Sequence, residues 1–240
     1  MVTFVVAPVS RHDAMFAVVN WHYAKREPLG RLVCFGLWEA GSYRGAMVFG
    51  RGAHANLGTF LGLDQTQCCE LVRVAFRSHE TPVSQALAVA LKLIKVTSPG
   101  VQAVVSYADM GQGHYGAIYQ ATNWVYLGAA RSPASWIIHG RPIHNRTVAG
   151  LRSGINRAHG GIKDPSELAF VQKHMDRNAK MIEGSVKHKY AYGLSRQASK
   201  RLDVLSLPYP KRSSCGGSVE GDTPAILAGE AGSIPARRSI

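Results

Sequence analysis

The residues best suited to chemistry lie in segment 104–128, where an apolar run is followed at once by polar side chains. Val104 and Val105 indicate the end of a strand, and Ser106 and Asp109 come directly after it. Open α/β sheets usually place their chemistry at the carboxyl ends of strands. Because a carboxylate can accept a proton, Asp109 is a candidate base, and Ser106 and Tyr119 are further candidates for reactive groups.

Each of these candidates also has a structural interpretation. Asp109 is typical of a turn residue that caps the helix after it, and Tyr119 is typical of a core ring with a satisfied hydroxyl. His22 and Tyr23 form a second candidate pair at the end of a predicted first helix. Adjacent helical residues point about 100° apart, so both side chains face one site only if the helix ends there.

The elements that position these residues follow from periodicity, turn signals and helix caps. Strands are predicted at 2–6, 31–39, 43–49, 70–76, 104–107, 124–127, 134–139 and 141–148. Helices are predicted from Ser10, with Ser10 as the N-cap, and at 83–96, 114–121 and 165–183. This order is an antiparallel meander followed by a strand–helix–strand crossover, and it resembles the acyl-CoA N-acyltransferase (GNAT) fold. We therefore expect an α+β protein with a mixed, mostly antiparallel central sheet flanked by helices.

The charge and the length divide the chain further. We expect a GNAT-like catalytic domain over 1–150, a basic C-terminal extension over 151–212 that packs on it and contacts DNA, and a disordered tail over 213–240. No run of 18 apolar residues occurs, so no membrane span is expected. Cys34, Cys68, Cys69 and Cys215 form no Cys-x-x-Cys pair, which favours a reduced intracellular protein without a structural zinc site.

The formal net charge of +13 and the pI near 9.9 favour a polyanionic partner, nucleic acid first. A basic protein without such a partner is the alternative. The candidate phosphate contacts are Arg51, Arg141, Arg146, Arg152, Arg157, Lys187 and Lys189. Three rings, Trp136, Tyr190 and Tyr192, are candidates for stacking on a displaced base, although any one of them alone is more typical of a buried ring.

A donor site is expected where the helix at 83–96 begins. In GNAT folds the free N–H groups and the dipole of this helix bind the pyrophosphate of coenzyme A. Thr81 and Ser84 are therefore candidate cofactor contacts, with a simple first-turn role as the alternative for Ser84. The usual loop there is Arg/Gln-x-x-Gly-x-Gly/Ala, but residues 77–84 contain no glycine, and Glu80 would repel phosphate. The fold thus predicts an acyl-CoA-type donor, whereas the sequence of this loop argues against one.

Several motifs occur in the order found in the Mom family of phage DNA-modification proteins. They are Asn20-Trp21-His22-Tyr23, Phe49-Gly50-Arg51-Gly52-Ala53, Glu70-Leu71-Val72-Arg73, and Ser106-Tyr107-Ala108-Asp109 with Gly113-His114, Gly116, Ile118-Tyr119-Gln120-Ala121 and Asn123-Trp124. Over about residues 1–212 the chain resembles this family, whose members convert adenine in DNA to an N6-carbamoylmethyl derivative that resists host restriction.

The resemblance implies a transferase that acts on double-stranded DNA in the host cell cytoplasm. It implies Asp109, Tyr119, His22, Tyr23 and Ser106 as catalytic residues. A bound iron has been suggested for the family, and His22, Tyr23, Asp109 and Tyr119 would form a nitrogen and oxygen ligand set that suits iron.

Two other functions remain open from the residues themselves. One is an acyl-CoA-dependent N-acyltransferase that acts on a protein or a small amine, and the missing glycine loop opposes it. The other is a basic DNA-binding protein without activity, which explains the charge but leaves the polar cluster after residue 105 unexplained.

Overall fold

A computed structural model describes residues 3–52, 55–132, 134–158 and 166–210. The predicted disordered tail at 213–240 lies outside these described ranges. The chain forms two compact units. Of the described residues, those within 3–108, 114–128 and 188–210 belong to the first unit, and those within 109–113 and 129–187 belong to the second. Neither unit ends at residue 150, so this division differs from the predicted domain boundary, and residues 188–205 belong with the N-terminal part of the chain.

The first unit is built on a seven-stranded sheet in the order β1-β2-β3-β4-β5-β10-β6. The strands are β1 (Phe4–Pro8), β2 (Leu32–Glu39), β3 (Ser42–Gly50), β4 (Cys68–Phe76), β5 (Ala103–Asp109), β6 (Val125–Arg131) and β10 (Val186–Gly193). β1 to β4 are joined by antiparallel pairing, whereas β4 and β5 are parallel. Helices α1 (Arg11–Trp21), α2 (Val83–Thr97), α3 (Ala117–Gln120) and α6 (Arg196–Leu205) accompany the sheet. The predicted fold class, a mixed and mostly antiparallel sheet with flanking helices, is confirmed.

Apolar clusters cover both faces of this sheet. One cluster joins Phe35 and Leu71 to α2 through Leu87 and Leu91, and it also contains Trp124 and Tyr190. Another packs Met15 and Val18 of α1 on alternate residues of β2, β3 and β4. This alternation is the pattern that buries both faces of a strand. The helix predicted from Ser10 is confirmed, since the Ser10 side chain accepts a hydrogen bond from the Asp13 N–H at the start of α1.

The second unit contains a three-stranded sheet in the order β8-β7-β9, formed by β7 (Ser135–Ile138), β8 (Arg141–His144) and β9 (Lys180–Ile182). Helices α4 (Asn145–Ala158) and α5 (Glu167–His174) belong to it. Its core contains Trp136, Val148 and Phe170. The strand predicted over 141–148 ends at residue 144, where α4 begins, and the helix predicted over 165–183 ends at His174. Among the helices in the described ranges, none combines the length and the apolar character needed to cross a bilayer.

Candidate active site

The candidate site of the first unit lies where β4 and β5 stop pairing. Their parallel ladder covers only three pairs, from Cys68↔Ala103 to Glu70↔Val105, although β4 continues to Phe76 and β5 to Asp109. Ser106 is the first residue of β5 beyond the ladder. Its Oγ donates a hydrogen bond of 2.8 Å to the Leu71 carbonyl oxygen, which β5 would otherwise leave without a partner on that side. The predicted strand end therefore opens a gap between two neighbouring strands.

A β-bulge in β4 lies beside this gap. Leu71 pairs with Phe49 and Arg73 pairs with Val48, so Val72 has no partner on β3. The extra residue reverses the alternation of β4, because Leu71 and Val74 pack with the α2 cluster while Val72 and Ala75 pack with the α1 cluster. Bulges redirect side chains and are frequent next to active sites. Here the bulge places Arg73 on the α1 face, within electrostatic range of His22.

Tyr119 carries the most clearly assigned proton of the site. Its hydroxyl lies 2.8 Å from Ser106 Oγ, and the Ser106 proton is already donated to the Leu71 carbonyl. The phenol must therefore be the donor, and Ser106 Oγ the acceptor. Burial raises the pKa of Tyr119 to about 12, against the lowering effect of its bond to Ser106. Tyr119 is thus neutral near pH 7 and suited to give a proton rather than take one.

The short helix α3 positions Tyr119. A helix was predicted from residue 114, but Gly116 adopts φ +83°, and regular helix covers only Ala117–Gln120. This left-handed residue interrupts the helix because a right-handed turn cannot continue through it. The Tyr119 ring then packs between Trp124 and Tyr190, with ring centroids 5.0 Å from each.

His22 and Tyr23 follow α1 directly. The helix ends at Trp21, and His22 is an extended C-cap residue, so the condition under which both side chains can face one site is met. The rings of His22 and Tyr23 lie 4.2 Å apart, and Tyr23 in turn contacts His114 at 5.8 Å between centroids. His22 Nδ1 accepts the Ala24 N–H at 3.0 Å, so a neutral His22 carries its proton on Nε2. His22 is therefore a hydrogen-bond donor at Nε2.

The ionisation of His22 predicts a pH-dependent stability. Burial, then the charges of Arg73 and His114, lowers its pKa from 6.5 to about 4. In the unfolded chain His22 is protonated below about pH 6.5, whereas in the folded chain it is protonated only below about pH 4. The stabilisation is thus complete above pH 6.5 and is lost as the pH falls towards 4. We expect urea unfolding to show wild type losing about 2 kcal/mol more than His22→Asn between pH 7 and pH 5.

The asparagine variant is a matched control for this experiment because its side-chain oxygen can replace Nδ1 as the acceptor for the Ala24 N–H. An equal loss of stability in both proteins would show that His22 protonates as easily in the folded chain as in the unfolded one.

His22 and Tyr119, two of the residues predicted to hold iron, make hydrogen bonds that a metal ligand would have to give up. The Ala24 bond places the His22 proton on Nε2, so neither ring nitrogen offers a free lone pair to a metal. The neutral Tyr119 hydroxyl is hydrogen-bonded to Ser106, whereas a metal-bound phenol would be ionised. Within the described residues no group of three histidine, cysteine, aspartate or glutamate side chains is arranged to hold a metal. The ligand set predicted for iron stays a prediction.

Asp109, the predicted base, lies in the second unit and has local partners. Its Oδ1 accepts the Gly111 N–H at 2.9 Å at the start of a short 3-10 helix, Met110–Gln112. Its Oδ2 lies 3.5 Å from Lys187 Nζ. The structure thus gives Asp109 the turn-capping role that was its alternative interpretation, and it gives Lys187, a predicted DNA contact, an intramolecular partner.

The other predicted DNA contacts have mixed surroundings. Arg51 and Arg141 are exposed, and the side chain of Arg146 lies outside the described part of the chain. The guanidinium of Arg152 lies 5.8 Å from the Phe170 ring centre. Lys189 Nζ lies only 3.8 Å from the Phe60 ring centre, and burial lowers its pKa.

The rings predicted to stack on a displaced base are not available in two cases. Trp136 and Tyr190 are both fully buried. Trp136 donates its indole N–H to Asn145, and Tyr190 donates its hydroxyl to the Tyr115 carbonyl. The basic and aromatic run at 187–192, which supplied four of the predicted DNA contacts, belongs to β10, a strand inside the main sheet, and so its residues alternate between the two faces.

The predicted donor contacts differ from each other. Thr81 precedes the N-cap of α2, which is Pro82, and the Thr81 N–H donates to the Glu39 carboxylate. Ser84 lines a pocket of about 440 Å³ together with Lys92, Lys95 and Asn123.

Sequence reasoning assigned no role to Glu70 and Arg73 of β4. Glu70 is the last β4 residue in the ladder with β5, and its negative charge raises the pKa of Tyr107 and Tyr119, in each case after burial. Its Oε2 lies against Gly52, where an added Cβ would approach it to 2.6 Å. Two charged residues in an otherwise apolar interior strand are a signal that could have identified them, because charged side chains are rare at buried positions.

The comparison with known families decides the identity. The model of the Mom protein family matches residues 3–211. The chain belongs to the Mom protein family. It is 25% identical over 197 residues to the methylcarbamoylase Mom of Escherichia phage Mu. The aligned region covers 79% of this chain and 76% of the phage Mu protein. The resemblance seen in the motifs is thereby confirmed.

Solved structures similar to this Mom-family chain include two acetyltransferases. One is from Bacillus subtilis in complex with CoA, with a TM-score of 0.43 and 12% identity over 81% of this chain and 100% of the other. The second is an N-acetyltransferase from Staphylococcus aureus Mu50, with a TM-score of 0.43 and 9% identity over 80% of this chain and 98% of the other.

Proposed function

We propose that this protein is a phage DNA-modification transferase that adds a carbamoylmethyl-type group to N6 of adenine in double-stranded DNA. In the host cytoplasm this would protect phage DNA from restriction enzymes. Membership of the Mom family and the name of the phage Mu relative support the reaction class. The net charge of +13 supports a polyanionic substrate. The observation that carries the proposal is the buried Tyr119–Ser106 pair at the split between β4 and β5.

The chemistry of adenine sets the tasks of the site. The N6 lone pair is delocalised into the ring, so N6 attacks only when the base leaves the stack and a nearby group accepts a proton. The new bond joins N6 to the methylene carbon of the donor, and the leaving group departs with the electron pair of the broken bond. The N6 proton passes to a carboxylate, and the Tyr119 hydroxyl donates its proton to the leaving group. Ser106 keeps the Tyr119 hydroxyl oriented until then.

We propose Glu70 as the carboxylate that accepts the N6 proton. It shares the first unit with Tyr119 and marks the end of the β4–β5 ladder. Asp109 is the alternative from the sequence. We expect Glu70→Gln to lower the yield of modified deoxyadenosine by about 100-fold. Asp109→Asn should stay within a few-fold of wild type, because an asparagine oxygen still accepts the Gly111 N–H.

The same nucleoside digests separate the two carboxylates. If Asp109→Asn lost the modified deoxyadenosine and Glu70→Gln kept it, Asp109 would be the base and the assignment of Glu70 would be wrong. Thermal unfolding of both variants shows whether a loss of product reflects chemistry or folding.

The function itself is tested by mass spectrometry of nucleosides from DNA of cells that express the protein. We expect a deoxyadenosine with the added mass of a carbamoylmethyl group, and its absence from cells that express Tyr119→Phe at equal level. Unmodified deoxyadenosine in cells with abundant folded wild-type protein would contradict the proposal.

A further inference from the structure

A buried carboxylate from β2 binds the backbone of the loop that leads into α2. Glu39, the last residue of β2, is only 1% exposed. Its Oε1 accepts the Glu80 N–H at 3.0 Å and the Thr81 N–H at 2.6 Å. Its Oε2 lies 3.1 Å from Arg44 Nε. Glu39 is thus held at the residues that precede the N-cap Pro82.

These contacts keep Glu39 ionised. A carboxylate deprived of water is unstable unless hydrogen-bond donors and an opposite charge replace its hydration. Burial alone would raise its pKa, but the bonds from Thr81 and Glu80 and the charge of Arg44 outweigh burial and lower it. The N–H groups of the loop before α2 are therefore bound by an ionised carboxylate that belongs to the protein itself.

An anion at this position has a consequence for ligands. A helix N-terminus attracts phosphate because its N–H groups are free and its dipole is positive there. In this chain the Glu80 and Thr81 N–H groups are already bound to Glu39, and Pro82 has no N–H to offer. A diphosphate would have to displace Glu39 from these N–H groups or bind without them beside the exposed Glu80. Either arrangement is unfavourable.

We propose that Glu39 is an internal substitute for a ligand phosphate, and that it excludes donors whose diphosphate binds at the start of α2, coenzyme A thioesters among them. The donor of the carbamoylmethyl-type group would then carry no diphosphate at this helix. The inference deepens the proposed function, on which its statement about the donor rests. Its test measures binding and needs no modified adenine.

The test is isothermal titration of the folded full-length protein with coenzyme A. We expect no saturable binding to wild type at about 1 mM coenzyme A. We expect Glu39→Gln, which removes the charge and keeps the size, to bind at least about tenfold more tightly. Glu80→Gln is the matched control, because it removes one negative charge from the same loop without touching the buried carboxylate.

Three results would overturn the proposal. The first is wild-type binding tighter than about 100 μM that 3′-phospho-ADP competes away. The second is an equal gain in Glu80→Gln, which would reduce the effect to overall charge. The third is a folded Glu39→Gln protein that binds no better than wild type. The wild-type titration can overturn the proposal even if Glu39→Gln does not fold. None of these results depends on the adenine product, so failure of this inference and failure of the proposed function are distinguishable.

Discussion

Tyr119→Phe is expected to lower the yield of modified deoxyadenosine by at least about 100-fold while the protein stays folded. The substitution removes one hydroxyl, and its partner Ser106 keeps its bond to the Leu71 carbonyl, so little stability is lost. What disappears is the proton that the proposed reaction gives to the leaving group. The measurement is mass spectrometry of nucleosides from cells that express equal amounts of each protein.

Tyr190→Phe is the matched control for this experiment. Tyr190 is also a buried tyrosine of the same aromatic cluster, and its ring centroid is 5.0 Å from that of Tyr119. Its hydroxyl is engaged by Tyr115 and Gln120 and takes no part in the Ser106 pair. We expect Tyr190→Phe to keep its product. Wild-type product from Tyr119→Phe, or an equal loss from both variants, would contradict the acid role of Tyr119.

The sheet was predictable because its signals are local. Alternation of apolar residues located β2, β3 and β4 to within two residues, and the capping oxygen of Ser10 located the start of α1. The elements that were missed or misplaced depend on contacts that the local sequence pattern does not show. β10 was not predicted as a strand, since residues 187 and 189 are basic. Its alternate residues His188 and Tyr190 are nevertheless buried, as expected of an interior strand.

The candidate site was predictable in part. Ser106 and Tyr119 were found because polar residues follow an apolar strand, and the structure brings them within 2.8 Å of each other. The role of Glu39 could not be found in this way, because its partners Glu80 and Thr81 lie more than forty positions further along the chain. The bulge at Val72 depends likewise on the register with β3, which strand alternation alone does not fix.

Gly116→Ala is expected to lower the free energy of unfolding by about 3 kcal/mol or more and to remove most of the product. Gly116 has φ +83°, and a Cβ there would lie 2.4 Å from two atoms of the Tyr190 ring. The overlap cannot be relieved by a small rotation, because the Tyr190 ring is fully buried and its hydroxyl is hydrogen-bonded to Tyr115. Either the ring or α3 must move, and α3 carries Tyr119. Urea unfolding and nucleoside analysis measure the two effects.

Gly30→Ala separates the overlap from backbone strain. Gly30 has a similar φ of +89°, but a Cβ there meets nothing within 4 Å. We expect this variant to lose only about 1–2 kcal/mol, the cost of a left-handed backbone for an alanine, and to keep its product. If both variants lost the same stability, the contact between Gly116 and Tyr190 would have no part in placing Tyr119. A larger loss in Gly116→Ala would show that a glycine seven residues beyond the end of β5 sets the position of the proposed acid through a ring on β10.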